Sequence, residues 1–185
     1  MTHTAFFGYG SLVNVATHTY AKPSAARLHG WRRIWRGTHL RKVAYLSVHP
    51  ADGQQIDGLV AQVPGADWAA LDQREAAYSR QTVTCHLHPT KQPISTAIYQ
   101  VDPAHIVTGG THPILQSYLD TVVQGYLRMF GEAGAQDFFD TTDGWDAPLL
   151  NDRASPIYPR AQPLTQAETA LVDRMYLAAV MEQAE

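Results

Sequence analysis

The sequence predicts an α+β fold, with short strands over most of its first hundred residues and longer helices after them. Two patterns carry this expectation. Residues 83–88 alternate apolar and polar side chains, the two-residue period of a half-buried strand, and residues 96–101 are the expected antiparallel partner. Residues 114–130 instead repeat apolar side chains at the three- and four-residue spacing of a helix face.

The remaining strands are assigned from local signals. The apolar residues 5–7 predict a first strand, and the basic, aromatic stretch 29–37 suits a second one. Residues 43–48 and 56–63 are predicted to pair with each other as a hairpin, because the turn-forming stretch 49–53 separates them.

Three helices are predicted. The first is short, from about residue 66 to 77, and the second is expected to begin at Pro113 and to end at Gly131. The third opens with a capping box at Thr165 and runs to the end of the chain. Between the last two, residues 144–163 hold four prolines and little periodicity, which predicts an irregular segment.

Composition limits the class of protein. The 185 residues are expected to form a single domain, 1–185, and 45% hydrophobic with 17% charged residues is typical of a soluble globular protein. A net charge of −3 argues against nucleic acid or a membrane surface as partner, and no apolar stretch has the length of a membrane span. The N-terminus lacks a secretory pattern and Cys85 is the single cysteine, which together predict a cytoplasmic protein. The oligomeric state is left open.

A glycine loop follows the first strand. Its residues are Gly8, Tyr9, Gly10, Ser11 and Leu12. Glycine lets another group approach the backbone closely, and consecutive N–H groups can form a nest for an anion, with Ser11 capping the next element. A plain turn after a strand is the alternative. A Rossmann fingerprint would need glycine where Val13 stands, and a P-loop needs a Gly-Lys pair that is absent.

One carboxylate is predicted on the apolar face of the short helix. Four residues share that face: Trp68, Leu71, Glu75 and Tyr78. Arg74 is expected to point elsewhere. A carboxylate that loses water has a raised pKa and can transfer protons near neutral pH. The alternative is a surface glutamate that returns to solvent or pairs with Arg80.

Other candidate sites are weaker. His86 and His88 lie on one strand face but lack an apparent third zinc ligand, so no metal site is predicted. Cys85 has no histidine partner on its own face and is expected to pack in the core. The arginines of 29–37 could bind single-stranded nucleic acid, but the acidic remainder of the chain favours arginines that are solvated or hold a buried carboxylate.

These motifs, in this order and spacing, resemble the gamma-glutamylcyclotransferase superfamily, and most closely its ChaC-like branch. Residues 7–12 are similar to the YGSL or YGSN loop of that family, and residues 71–75 to the segment with its catalytic glutamate. Residues 30–38, followed by Arg41, resemble the aromatic-arginine strand of the ChaC-like branch. The resemblance extends roughly over residues 5–101.

The resemblance implies a small mixed β-barrel, or a strongly curved sheet flanked by helices, in which the glycine loop and Glu75 meet at a cavity. It also implies a gamma-glutamyl cyclotransferase: the α-amine of a γ-glutamyl group attacks its own γ-carbonyl and releases 5-oxoproline with an amine, amino acid or peptide. Glutathione is one candidate substrate. Neither a metal nor an organic cofactor is needed.

Glu75 is the expected catalytic base, and the expected substrate-binding residues are the following: Gly8, Tyr9, Gly10, Ser11, Leu12, Arg41 and Tyr118. A small γ-glutamyl compound is the expected partner. Two other functions stay open. One is a γ-glutamyl amidohydrolase that uses water in place of the substrate's amine, and the other is a non-catalytic binding module on the same fold.

Overall fold

The computed structural model describes residues 4–183, so residues 1–3 and 184–185 of the predicted domain lie outside the described part. Its strands and helices are, in chain order, β1 (Ala5–Gly8), β2 (Ala21–Gly37), β3 (Ala44–Gln62), α1 (Ala69–Arg74), β4 (Tyr78–Leu87), β5 (Pro93–Val101), β6 (Ile114–Leu115), α2 (Gln116–Asp140), β7 (Thr142–Asp143), β8 (Leu149–Leu150) and α3 (Gln166–Glu182).

Five strands close into a small barrel in the order β3-β1-β5-β4-β2, because β2 also pairs with β3. The short strand β7 adds to β2. β1 runs antiparallel to β3 and parallel to β5, so the sheet is mixed. The predicted α+β fold with a small mixed barrel is therefore confirmed, as is the antiparallel pairing of β4 with β5. Closure leaves few free strand edges.

The predicted hairpin within residues 43–63 is wrong. β3 is one continuous strand that pairs antiparallel with β2 through both of its halves, so the chain reverses at 38–43 instead. The turn-forming stretch 49–53 lies inside β3, opposite a register shift in β2, and Gly53 has a positive φ of 76°. Turn residues here bend a long strand and do not end it.

α2 begins and ends differently from the prediction. Pro113 precedes the short strand β6, and the helix starts three residues later, where Asp152 accepts a hydrogen bond of 2.7 Å from the N–H of Ser117. Gly131 does interrupt the helix, with a φ of 73°, but a second helical stretch continues to Asp140. The apolar side of α2 covers the barrel, and Tyr126 there is fully buried.

The C-terminal part follows its local signals closely. The capping box is present, since Thr165 accepts from the N–H of Glu168 and Glu168 accepts from the N–H of Thr165. Residues 144–163 are irregular apart from β8, as predicted. No helix within residues 4–183 combines the length and the apolar character that crossing a bilayer would need.

Candidate active site

The glycine loop joins β1 to a 3-10 turn at Ser11–Val13. Both glycines are required by close approaches: a Cβ on Gly8 would lie 2.6 Å from the Cβ of Leu12, and one on Gly10 would lie 2.7 Å from the hydroxyl of Tyr118. The expected cap at Ser11 is wrong, because Gly10 is the N-cap residue. The Ser11 hydroxyl instead accepts a hydrogen bond of 3.3 Å from Arg74.

The loop lines a small cavity of about 30 Å³ together with Glu75 and four tyrosines: Tyr9, Tyr78, Tyr99 and Tyr118. This inner cavity meets a larger one of about 510 Å³. The two cavities share five lining residues: Ser11, Leu46, Glu75, Tyr78 and Tyr118. The structure thus brings the predicted loop, Glu75 and Tyr118 together at the junction of a narrow inner chamber and a wider outer one.

Glu75 lies at the C-terminal end of α1, where its N–H donates to the carbonyl of Leu71 at 2.9 Å. Its carboxylate is 3.3 Å from Nε of Arg74. Burial raises the pKa of Glu75 above its ordinary value, while the charges of Arg74 and Arg160 offset part of this effect. The result is a carboxyl group whose protonation can change closer to neutral pH than that of a surface glutamate.

Two predictions about this helix are wrong. Arg74 does not point elsewhere: it is the last residue of α1, its guanidinium lies beside the Glu75 carboxylate, and it donates to the carbonyl of Thr17 at 3.1 Å. Tyr78 is not on the helix but begins β4, although it still lines the cavity. Arg80, the alternative partner of Glu75, pairs with Asp72 at 3.3 Å instead.

The tyrosines around Glu75 are neutral hydrogen-bonding groups. Burial raises the pKa of Tyr9, Tyr78 and Tyr118 well above the ordinary value. Tyr9 donates its proton to the carbonyl of Tyr99 at 2.6 Å, and Tyr78 donates to the carbonyl of Leu46 at 2.9 Å. Because each phenol has one proton, the oxygens of Tyr9 and Tyr78 are left with acceptor capacity.

The outer cavity is lined by cationic side chains. Arg41 lies there and not beside the inner chamber, and it is joined by Arg74 and Arg160. Arg160 comes from the irregular segment, whose Tyr158 packs edge-on against Tyr118 at a centroid distance of 5.0 Å. The irregular segment therefore contributes side chains to the wall of the outer cavity.

The other candidate residues lie apart from this site. His88 contacts the carboxylate of Asp57 at 3.1 Å, and the His86 ring packs against that of His29. Within residues 4–183, no group of histidine, cysteine and acidic side chains is arranged to hold a metal ion. Cys85 is buried in the core as expected, and burial raises the pKa of its thiol.

Two arginines of residues 29–37, Arg32 and Arg33, differ in burial and in binding partners. Arg32 pairs with Asp143 at 2.7 Å at the surface. Arg33, in contrast, is completely buried and binds carbonyl and hydroxyl oxygens, including the carbonyl of Tyr9 in the glycine loop. The expectation that these arginines are solvated or hold a buried carboxylate is therefore wrong for Arg33. The strand period does separate it from Arg32, because Arg33 shares a face with Trp35, which is also buried.

Comparison with protein families adds a second line of evidence. A family model described as "Gamma-glutamyl cyclotransferase, AIG2-like" matches residues 6–119, well over half of the chain. That range includes the glycine loop, Glu75, Arg41 and Tyr118 but not the irregular segment. The match does not single out the ChaC-like branch, which stays a prediction. A comparison with curated proteins found no match.

Solved structures have the same fold. A gamma-glutamyl cyclotransferase shares 12% sequence identity at a TM-score of 0.62, with 92% of this chain and 98% of that chain covered. An uncharacterized protein from Homo sapiens shares 13% identity at a TM-score of 0.63, with 94% and 99% covered. YkqA from Bacillus subtilis shares 17% identity at a TM-score of 0.59, with 78% of this chain and 57% of that one covered. At such low sequence identities these similarities show that the fold is shared.

Proposed function

We propose that this chain, which belongs to the gamma-glutamyl cyclotransferase, AIG2-like family, is itself an active cyclotransferase that converts a small γ-glutamyl compound to 5-oxoproline. One observation carries the proposal: a buried carboxyl group with a raised pKa, Glu75, faces a glycine loop across a small, tyrosine-lined cavity. That pairing of a proton acceptor with backbone N–H donors suits an acyl transfer that needs no nucleophile from the protein.

The first step is proton removal. The α-amine of a γ-glutamyl compound is an ammonium near neutral pH and cannot attack, so Glu75 takes one proton. The acceptor oxygens of Tyr9 and Tyr78 on the cavity wall can hold the remaining N–H groups. The freed nitrogen then attacks the γ-carbonyl carbon within the same molecule and closes a five-membered ring. The junction of the two cavities must hold the substrate folded in this near-attack shape, because the inner cavity alone, at about 30 Å³, is too small for a γ-glutamyl group.

Negative charge next develops on the γ-oxygen. The N–H groups of the glycine loop, residues 9–12, are the proposed donors to it. When the tetrahedral species collapses, the bond from the former γ-carbon to the leaving nitrogen breaks. Glu75 returns its proton to that nitrogen, and the ring nitrogen, which still carries two hydrogens, gives one of them to the departing amine, which leaves as an ammonium. The products are 5-oxoproline and a free amine, amino acid or peptide, and the enzyme is regenerated without change.

The outer cavity is the proposed site of the leaving group. Arg41 and Arg160 lie on its wall with cationic heads. Guanidinium groups bind carboxylates through paired, charge-assisted hydrogen bonds. We therefore propose that leaving groups with a carboxylate, such as an amino acid or the peptide part of glutathione, are preferred over simple amines.

The test is a set of matched substrates with 5-oxoproline as the measured product. A γ-glutamyl amino acid should react, whereas its N-acetylated and α-linked counterparts should be inert, because one lacks a basic amine and the other would require a three-membered ring. Release of free glutamate, or turnover of the N-acetyl compound, would mean that water is the attacking group. The γ-glutamyl amidohydrolase would then replace the cyclotransferase as the proposed function. No turnover of any γ-glutamyl compound would favour the binding module.

A further inference from the structure

Arg33 is the largest fully buried side chain of the described residues, and the chemistry above does not use it. Within residues 4–183 it forms no ion pair with a carboxylate. Its hydrogen-bond acceptors are the following: the carbonyls of Tyr9 and Asp57, and the hydroxyls of Tyr126 and Thr141. The nearby carboxyl of Asp137 feels the charge of Arg33, which acts to lower its pKa, but does not contact the guanidinium. A buried cation without a carboxylate in contact is costly, so its position calls for a reason beyond packing.

The carbonyl of Tyr9 is where this buried cluster meets the candidate active site. It accepts a hydrogen bond of 3.2 Å from Nε of Arg33, and it shares the single proton of the Tyr126 hydroxyl, at 2.8 Å, with the carbonyl of Asp57 at 2.9 Å. The guanidinium in turn donates to that hydroxyl at 2.6 Å, and lies 4.9 Å from the centre of the Tyr126 ring. One carbonyl oxygen is thus held by a cation and by a phenol that the same cation polarises.

This carbonyl belongs to the peptide unit that joins Tyr9 to Gly10. His88-Pro89 is the cis peptide bond found among the described residues, so the Tyr9–Gly10 bond is trans. In a trans peptide the C=O and N–H point in opposite directions, and the group is planar. Holding the Tyr9 oxygen toward Arg33 therefore directs the Gly10 N–H away from Arg33. Gly10 itself lines the inner cavity with Glu75.

We propose that Arg33 is a positioning residue for the reaction proposed above: it orients the Tyr9–Gly10 peptide and strengthens the Gly10 N–H as a donor to the γ-oxygen. Hydrogen bonds in series polarise one another, and the effect is larger where the local dielectric is low. A positive charge on the carbonyl side draws electron density from the amide, so the N–H carries more positive charge. The inference rests on the proposed function and adds to it a group that never touches the substrate.

The neighbours of Arg33 provide a matched pair of variants. Tyr126→Phe removes the hydroxyl that contacts the Tyr9 carbonyl, whereas Thr141→Val removes a hydroxyl that contacts Arg33 at 2.5 Å on its other side. Thr141→Val loses partly buried hydrogen bonds, and Tyr126→Phe also loses the contact of its hydroxyl with the Asp57 carbonyl, so both should lower the melting temperature. Tyr126→Phe should also lower kcat about tenfold with KM unchanged, a part of the loss seen when a whole oxyanion donor is removed. Thr141→Val should leave kcat unchanged.

Two substitutions of Arg33 itself complete the kinetic test. Arg33→Lys keeps the charge and Arg33→Met does not, so the lysine variant should retain more of the wild-type kcat than the methionine variant. Should the methionine variant fail to fold, the Tyr126 and Thr141 pair still decides the matter. Equal kcat for those two variants, or a change in KM in place of kcat, would overturn the inference.

A readout without turnover separates this inference from the proposed function. In ¹H–¹⁵N spectra of the whole protein, the Gly10 amide should shift in Tyr126→Phe and hold its position in Thr141→Val. If the wild type releases no 5-oxoproline while the Gly10 amide responds in this way, the proposed reaction fails and the orienting contact stands. If the wild type is active and the Gly10 amide is equally affected in both variants, the role of Arg33 is purely structural.

Discussion

Two carboxylates of this protein are equally hidden from solvent and yet differ in character. The side chain of Asp57 is 14% exposed and that of Glu75 is 15% exposed. Burial acts to raise both pKa values, but hydrogen bonds from Arg27 and His88 outweigh it at Asp57, whose pKa is lowered. At Glu75 burial prevails over the nearby arginine charges, and the pKa is raised.

The difference lies in what each neighbouring arginine is bound to. Arg27 gives Asp57 two hydrogen bonds, of 2.7 and 2.8 Å. Arg74 lies 3.3 Å from Glu75 but donates its terminal N–H groups to the carbonyl of Thr17 and the hydroxyls of Ser11 and Thr17. A cation that holds the glycine loop in place is only partly available to the carboxylate. Hydrogen bonds from Arg27 and His88 therefore set the direction of the pKa shift at Asp57, whereas burial sets it at Glu75.

The largest expected effect separates the two carboxylates by activity. Glu75→Gln should keep the fold and lower kcat by about three orders of magnitude, since both proton transfers pass through one carboxylate. Asp57→Asn is the matched control and should leave kcat close to the wild-type value. Rates of 5-oxoproline release together with melting curves check this. A glutamine variant that turns over at the wild-type rate would remove Glu75 from the mechanism.

The pH dependence of activity sharpens the same contrast. Glu75 must be ionised to accept a proton, so kcat/KM should fall as the pH drops through its raised pKa, by about tenfold for each pH unit below it. The Asp57→Asn variant should show the same profile, because the pKa of Asp57 is lowered and lies below that range. A shift of the pH profile of kcat/KM in Asp57→Asn would mean that Asp57, and not Glu75, is the group whose titration controls activity.

Stability should respond to the two substitutions with opposite sign. The lowered pKa of Asp57 contributes stability above its ordinary value of 3.8 that is lost as the pH falls through the folded-state pKa. Asp57→Asn should therefore cost about 1 kcal/mol near neutral pH, a modest figure because Arg27 is 35% exposed, and less in acid.

Glu75 should behave in the reverse way. Its raised pKa favours the folded state below the ordinary value of 4.5, and this contribution is lost as the pH rises through the folded-state pKa. Glu75→Gln should thus be more stable than the wild type at neutral pH, with a smaller difference in acid. Urea unfolding at several pH values gives the free energy of unfolding of both variants. If both substitutions changed this free energy in the same direction at neutral pH, the contrast between the two carboxylates would be contradicted.

The smallest expected effect concerns the histidine beside Asp57. His88, a candidate zinc ligand together with His86 in the sequence, donates a hydrogen bond of 3.1 Å to the Asp57 carboxylate. We therefore expect EDTA to leave both activity and melting temperature unchanged. Loss of activity in EDTA with recovery on adding zinc would show instead that the protein needs a bound metal ion, with His88 and Asp57 as candidate ligands.

The sequence by itself determined the features whose signals are local. The alternation in β4, the glycines at the end of β1 and the capping box of α3 each depend on neighbouring residues, and the structure has all three. The α+β class follows from these periods. Glu75 was singled out by its position among apolar neighbours, and it does lie on the cavity that the glycine loop lines.

Tertiary structure decided what depends on partners distant in the chain. Residues 49–53 have the composition of a turn, yet they lie inside β3, because β3 pairs with β2 on both sides of them. These hydrogen bonds to β2 involve residues distant in the chain, which a local turn signal does not reveal. Arg33 and Arg32 are adjacent and chemically identical, yet one is buried against the Tyr9 carbonyl and the other pairs with Asp143 at the surface. Opposite faces of a strand meet different surroundings, and only barrel closure and the placement of α2 determine what those surroundings are.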